Sequence, residues 1–477
     1  MDRIYKKNQA GVLLEPVIAR KICLDMHGDL IDLTNNSYIS FSGLKSNAMV
    51  KKISERYGSV LPISDYSNEI FINFFVKKCE WESLLLTSDI GRISDNKGCE
   101  GYIWNDIVNT RNNNIRASRF SGMLNWLYVP LFCFSALLFP MFCIFKSLLT
   151  RKLKPISGKN ISVIRSQAAY DKILTVKDDL NLVLISEEMV YRNSEIDSMF
   201  SYVRPIPMLL AYRKVVIKSF RDLSNIKKEL RGFLSGPCVH RILLYYASRI
   251  VLKCSYEVFL EEIIKVFKTN VVTGNKEDRF AMVEVKVAAK CGVLLTCIPH
   301  GLEYAFKFPG GLAGDLFYCT SSKSAFALRD IYSDEKFVFD ERINNKIYGG
   351  HKSCIENRAR DIIFFTEPRN IQVNRIIIKF LQDSSVAFRV KLHPADDRRN
   401  YPKSELEFVE SLADALMCTI VIARKSTVLL DAMYRGADPI SFLIDSKDDY
   451  YANYVFPSLS DVGIKKVYHI QDLLKFL

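Results

Sequence analysis

The sequence predicts an α/β protein built from two parallel-sheet units in series, with a hydrophobic, membrane-associated insertion ahead of them. Three observations carry this. A chain of 477 residues is too long for one ordinary core. From about Ser162 onward, short buried apolar runs alternate with helical stretches, the pattern of strands covered by helices. Upstream, Phe120 to Phe145 contains no charged residue. No strict repeat or low-complexity tract competes with this reading.

Residues 1–119 alternate short apolar runs with polar turns, as in DLTNNSYISFSG, and form a region that is part of the first domain or appended to it. Residues 120–154 are the apolar segment, FSGMLNWLYVPLFCFSALLFPMFCIF, and its basic flank. It is long enough to span a bilayer. Arg111, Arg116 and Arg119 precede it, and Lys146, Arg151, Lys152 and Lys154 follow it. Basic residues on both sides conflict with the positive-inside rule for a single crossing, and a crossing would separate residues 1–119 from the rest. Pro130 and Pro140 offer kink points, so a shallow hairpin or interfacial helix pair is expected, against a true span or a buried soluble helix.

The first unit covers residues 155–350. LKPISGKN reads as a linker, followed by strands in ISVIRS, NLVLISEE, NVVTGN, GVLLTCIPHG and DLFYCTSS and helices in EVFLEEIIKVFK and RFAMVEVKVAAK. Ile347 to His351, IYGGH, reads as a strand ending in a glycine turn. The second unit covers residues 351–477: strands in DIIFFTEP, VAFRVKLHP, CTIVIARKS and DPISFLID alternate with helices, ending in the helix IQDLLKF. Two Rossmann-like units in series place a cleft between the carboxyl ends of their sheets, where open α/β folds bind ligands.

A 49% hydrophobic and 25% charged composition excludes global disorder. The net charge of +13 calls for an anionic partner. Because basic residues flank the apolar segment, acidic lipid headgroups fit better than nucleic acid. The twelve cysteines include no C-x-x-C pair, and their spacings fit neither zinc nor redox motifs. The amino terminus MDRIYKKNQAG lacks the apolar core of a signal peptide, so reduced thiols and a cytosolic body are expected.

The candidate chemistry sits at strand ends. VAFRVKLHP ends in His393-Pro394; proline stops the strand, leaving an imidazole able to donate to a base, ribose or phosphate oxygen. In TIVIARKSTVLLDAMY, Ser426 and Thr427 fall where a helix begins, so hydroxyls and free amides can meet phosphate. Arg424 and Lys425 add positive charge there. In TEPR, Thr366 and Arg369 offer a hydroxyl and a guanidinium. In the first unit, His300-Gly301 ends another strand, with Glu303 expected to face the same cleft and the glycine permitting close approach. FPGGLAGD reads as a flexible loop without the phosphate-binding GK[ST] ending. Glu277-Asp278 and Glu187-Glu188 both follow strands, and either pair could supply a general base.

The HG pair, KLHP and the STVLLDA helix start resemble bacterial GT-B glycosyltransferases of surface-polysaccharide synthesis, over roughly residues 160–470. The His-Pro pair with a later Ser/Thr helix start looks most like the CMP-sugar-using sialyltransferases and Kdo transferases. The resemblance implies a GT-B fold, His393 on the cytidine monophosphate, Ser426 and Thr427 on its phosphate, and a first-unit carboxylate activating the acceptor hydroxyl. It implies no cofactor beyond the nucleotide-sugar co-substrate and no catalytic metal. Its partners would be an oligosaccharide or lipid-linked acceptor and an anionic membrane surface, at the cytoplasmic side of the inner membrane. The sialyltransferases follow their acidic pair with glycine, whereas Arg279 and Met189 stand here, which leaves the base open. A UDP- or GDP-sugar, a CDP-polyol, or a non-catalytic sugar-binding role are the other readings.

Overall fold

A computed structural model describes residues 64–76, 125–155, 158–231, 236–349, 361–367, 371–394, 396–401, 406–444, 448–449, 451–461 and 463–477. It also gives the backbone of two short antiparallel pairs, Tyr5–Asn8 with Gly11–Leu14 and Ile31–Asp32 with Ser37–Tyr38.

The first sheet contains β1 (Asn160–Ile164), β2 (Leu182–Ser186), β3 (Asp197–Ser198), β4 (Val271–Thr273), β5 (Leu295–Cys297), β6 (Leu316–Tyr318) and β7 (Phe337–Val338). Their order across the sheet is β3-β2-β1-β4-β5-β6-β7, and every pairing is parallel. The second sheet contains β8 (Ile362–Phe365), β9 (Arg389–Lys391), β10 (Glu407–Phe408), β11 (Ile420–Ala423), β12 (Asp438–Phe442) and β13 (Lys465–Val467). Its order is β10-β9-β8-β11-β12-β13, again all parallel. Each sheet reverses direction beside its first strand, so each has a switch point at which loops splay apart and leave room for a ligand. The predicted α/β class and the paired parallel sheets hold.

Most of the connections are helical. Gln167–Leu174 (α2) joins β1 to β2, and Pro205–Arg231 (α3) and Gly236–Phe267 (α4) together join β3 to β4. Arg279–Cys291 (α5), Ser322–Tyr332 (α6), Ile371–Asp383 (α7) and Val428–Tyr434 (α8) form four further crossovers, while β5 runs to β6 without a helix. Strands β8 and β11 are buried at every position, which explains why they read as unbroken apolar runs rather than alternating ones. A tight approach shapes the β4 end: a Cβ on Gly274 would lie 2.9 Å from that of Ala169, so only glycine lets α2 close on this turn.

Three local expectations change. Of the apolar segment, residues 120–124 lie outside the described residues, and Tyr128–Leu149 (α1) is one continuous helix that runs through Pro140 without breaking into a hairpin. It is held because Tyr128, Phe132, Ala136, Pro140, Cys143 and Ser147 form one buried face, packed against α3 and α4. Second, Asn345–Gly349 is a π-helical turn rather than a strand, and Gly350 and His351 lie outside the described residues. Third, Ile470–Lys475 is a 3-10 helix. The part of residues 1–119 described with side chains, 64–76, belongs to the first unit: Tyr66, Ile70, Phe71 and Phe74 share a core with α4, Phe306 and Phe308.

The two units are joined by a shared interior. Ile164, Ile173, Ile298 and Leu302 of the first unit cluster with Val428, Leu429 and Ala432 of the second. Beside this cluster Glu303 is fully buried. Its carboxylate accepts from the Thr320 amide at 2.7 Å, the Thr320 hydroxyl at 2.5 Å and the Ser458 hydroxyl at 3.0 Å. Glu303 therefore clasps the two units together and does not face a cleft. Glu303→Ala should cost about 3 kcal/mol by leaving buried donors unpaired, read as a lower midpoint in urea unfolding; an unchanged midpoint would show that the clasp is dispensable.

Candidate functional site

At the carboxyl edge of the first sheet, the ends of β1, β2, β4 and β5 bring together Arg165, Glu187, Glu277, Asp278 and His300. Arg165 sits over Phe280, its guanidinium carbon 3.0 Å from the ring centroid. Its Nη1 is 3.6 Å from Asp278 Oδ2, and its Nε is 3.9 Å from Glu187 Oε2. These contacts are electrostatic rather than hydrogen bonded. Both Glu187 oxygens and Arg165 Nε and Nη1 are buried with no hydrogen-bond partner. Burial pushes the Glu187 carboxyl above the usual range, against the pull of Arg165. Unsatisfied buried charge of this kind is expensive and clusters at functional sites.

The two candidate acidic pairs separate by role. Glu188 turns away from Glu187, adopting a positive φ of 61°, and binds Lys146 of α1 and Ser198; it anchors the apolar helix. Asp278 is the N-cap of α5, its Oδ1 accepting from Phe280 N at 3.1 Å and Ala281 N at 2.8 Å. That leaves Glu277 in a different state. Its side chain is 21% exposed and its nearest cation is Lys276, with Nζ 3.9 Å away. Burial, reinforced by Asp278, Glu69 and Glu303 and opposed by Lys276, pushes its pKa up to about 7. A carboxyl poised there exchanges protons at neutral pH, as a general base must.

His300 is half-buried, and its Nδ1 lies 2.7 Å from the Gly274 carbonyl. A carbonyl only accepts, so Nδ1 carries the proton. Burial also lowers the imidazole pKa. The ring is therefore neutral at pH 7, and Nε2 is left as an acceptor. A Cβ on the adjacent Gly301 would meet nothing within 4 Å, so this residue leaves open space beside the imidazole. The glycine-rich loop is not a loose flap: Asn68 pins it through Gly310 N at 2.7 Å and Gly311 O at 2.8 Å, and Phe308, Leu312 and Ala313 are buried.

At the second edge, His393 and Pro394 are exposed at the end of β9. The His393 amide donates to the buried Thr366 hydroxyl at 3.1 Å. Ser426 and Thr427 are half-exposed just before α8, and Thr427 makes no side-chain capping bond. β8 lies between β9 and β11, so the two reversals stand about 10 Å apart, two strand spacings. Arg369 lies outside the described residues. The local charge differs from expectation. Lys425 Nζ lies against Asp448 and is 3.4 Å from Glu367, and Arg424, fully buried, pairs with Asp448 at 2.5 Å. Among the described residues, two cations meet two carboxylates here, so the turn is an ion-paired cluster rather than a pair of open positive charges.

Sequence reading missed Arg165, whose partners are distant in the chain, and Glu69, which bonds the Arg279 guanidinium at 2.7 Å across 210 positions. It also missed an open pocket lined by Asp449, Asn453, Tyr454, Lys466, Tyr468 and His469, between the π-helical turn Tyr451–Val455 and strand β13 with the residues after it. Among the described residues no group of three or more His, Cys, Asp or Glu could hold a metal ion. No protein-family model matches the chain, and no curated protein is similar to it in sequence.

The Glu277 carboxyl can be tested without a substrate. Its folded pKa of about 7 exceeds that of an ordinary glutamate in the unfolded chain. Between those two values the folded protein holds a proton that the unfolded chain has released, so stability falls as pH rises through that window. Glu277→Gln should flatten the decline in melting temperature between about pH 5 and pH 8. A wild-type-minus-variant difference that is level across the window would show that the carboxyl titrates normally.

Proposed function

We propose that this protein is a glycosyltransferase of GT-B type. In this reading it moves an acidic sugar from a CMP donor onto an oligosaccharide or lipid-linked acceptor at the cytoplasmic face of the inner membrane. One observation carries the reading: a carboxyl poised near neutrality and a neutral imidazole stand at one sheet's carboxyl edge, and a histidine with two hydroxyls stands at the other's. Proton-accepting groups on one unit and nucleotide-contacting groups on the other are what sugar transfer across a two-domain cleft requires.

In the proposed reaction the acceptor hydroxyl gives its proton to the Glu277 carboxylate. Its oxygen attacks the anomeric carbon, and the bond from that carbon to the donor phosphate breaks, releasing CMP. His300 Nε2 accepts a hydrogen bond from the acceptor, and Gly301 leaves room for it. Arg165, Glu187 and Asp278 hold the β4 turn that carries the base. On the second unit His393 contacts the nucleotide while Ser426, Thr427 and the adjacent amides bear the phosphate charge as it develops, with Thr366 holding the His393 loop. Lys425, occupied by two carboxylates, orders this turn and leaves charge stabilisation to hydroxyls and amides.

The decisive assay is CMP release with CMP-sialic acid or CMP-Kdo. His393→Ala should lower kcat/KM by about 10- to 100-fold, the range for losing a hydrogen bond to a charged group. Glu277→Gln should lower kcat by about 100-fold or more. The wild-type rate should rise with pH through about 7, as Glu277 loses its proton, and the variant's should not. Turnover only with UDP- or GDP-sugars or CDP-glycerol would change the donor and keep the class. Absence of thermal stabilisation by any of CMP, CDP, UDP or GDP would favour a non-catalytic sugar-binding protein.

A further inference from the structure

The outer face of α1 is apolar from end to end. Phe134, Leu138, Phe142 and Phe145 are all exposed, and the whole helix carries no acidic residue. Only 28% of its most apolar stretch is buried, so it is not an ordinary core helix. Yet it is fastened along its length to the folded first unit. Ser147 Oγ donates to Val203 O at 2.9 Å, Tyr212 OH to Leu137 O at 3.1 Å, and Phe132 meets Phe220 edge-on at 4.9 Å. These contacts also show α1 and α3 running antiparallel. The first half of α3 extends the apolar surface through Leu209 and Leu210, both exposed, again with no carboxylate between Pro205 and Arg221. Arg151, Lys154, Arg213 and Lys214 are exposed and have no ion pair among the described residues.

From this surface we infer that α1 and the first half of α3 form one side-on docking face for an anionic lipid bilayer, and that α1 lies in the membrane plane without crossing it. The inference deepens the membrane part of the proposed function and does not depend on the donor. Two features select the occupant. A helix of 22 residues is about 33 Å long, enough to span. A span would, however, drag α3 and α4 into hydrocarbon with it, and α3 carries Arg213, Lys214, Lys218, Arg221 and Asp222 in its middle turns. Lying flat, α1 buries only its outer face, and the unpaired cations meet lipid phosphates. A second copy of this chain would bring like charges together at the same rim.

The test is co-sedimentation of the full chain with vesicles of phosphatidylcholine containing phosphatidylglycerol, against pure phosphatidylcholine. Binding should be stronger to the anionic vesicles and weaken with added salt. The double variant Leu209→Gln/Leu210→Gln should bind at least about tenfold more weakly with an unchanged melting curve, since both side chains are exposed. Three results would overturn the inference: no vesicle binding by the wild type; undiminished binding by the double variant, which would leave α1 acting alone; or a stable dimer in solution that this variant dissolves. A donor assay with a soluble acceptor and no vesicles separates this outcome from the transferase reading.

Discussion

What the architecture depends on is the shared interior between the two sheets. Parallel sheets must be covered on both faces, and here part of that cover comes from the neighbouring unit. Val428 and Leu429 of α8 pack with Ile164 and Ile298 beside the switch point of the first sheet. The interface is completed by polar contacts that tolerate little movement, because Glu303, Thr320 and Ser458 satisfy one another in full burial. Lys172 adds a further tie, pairing with Asp431 and standing 3.9 Å over the Tyr348 ring. An interface held this way keeps the carboxyl edges of the two sheets in a fixed relation.

Within that frame the first edge stores electrostatic cost. Glu187 is buried without a hydrogen bond, Arg165 approaches its two carboxylate partners only to 3.6 and 3.9 Å, and Glu277 holds its proton to about 7. Nearby Glu284 shows what a satisfied buried glutamate looks like: it takes the Tyr256 hydroxyl at 2.7 Å and the Thr273 hydroxyl. Both carboxyls are pushed up to about 7, but only Glu277 combines that shift with partial exposure and an unmade hydrogen bond. Position and partners, more than the shift, distinguish the two carboxyls.

The fold was largely legible because its signals are local. Buried parallel strands are short apolar runs, and ISVI, LVLI, IIFF and IVIA each became one. The π-helical turn at Asn345–Gly349 was misread because IYGG carries strand-like residues and its helical form comes from packing against α8, a tertiary effect. The apolar helix was expected to break at Pro140, yet the lost backbone bond is offset by burial of its whole inner face. Sites were only half legible for the same reason. His300 and His393 announce themselves at strand ends. The roles of Glu188 as an anchor, Glu303 as a clasp and Lys425 as half of an ion-pair network depend on partners far along the chain.

Those partners also change what the chain's basic excess means. Read from sequence, +13 calls for anions wherever lysine and arginine gather, and the Arg424-Lys425 turn looked like one such place. Folded, Arg424 and Lys425 pair with Glu367 and Asp448, Lys172 with Asp431, and Lys253 with Asp65 and Asp222. Cations buried with carboxylates cannot attract a distant anion, because their field is cancelled within a few ångströms. Among the described residues, Arg151, Lys154, Arg213 and Lys214 are exposed cations with no ion pair that border the apolar face of α1 and α3, and Lys177, Lys228 and Lys379 are exposed and without an ion pair elsewhere. An exposed cation beside an apolar face acts on an anionic surface over about a Debye length, whereas a cation buried against a carboxylate acts mainly on its partner.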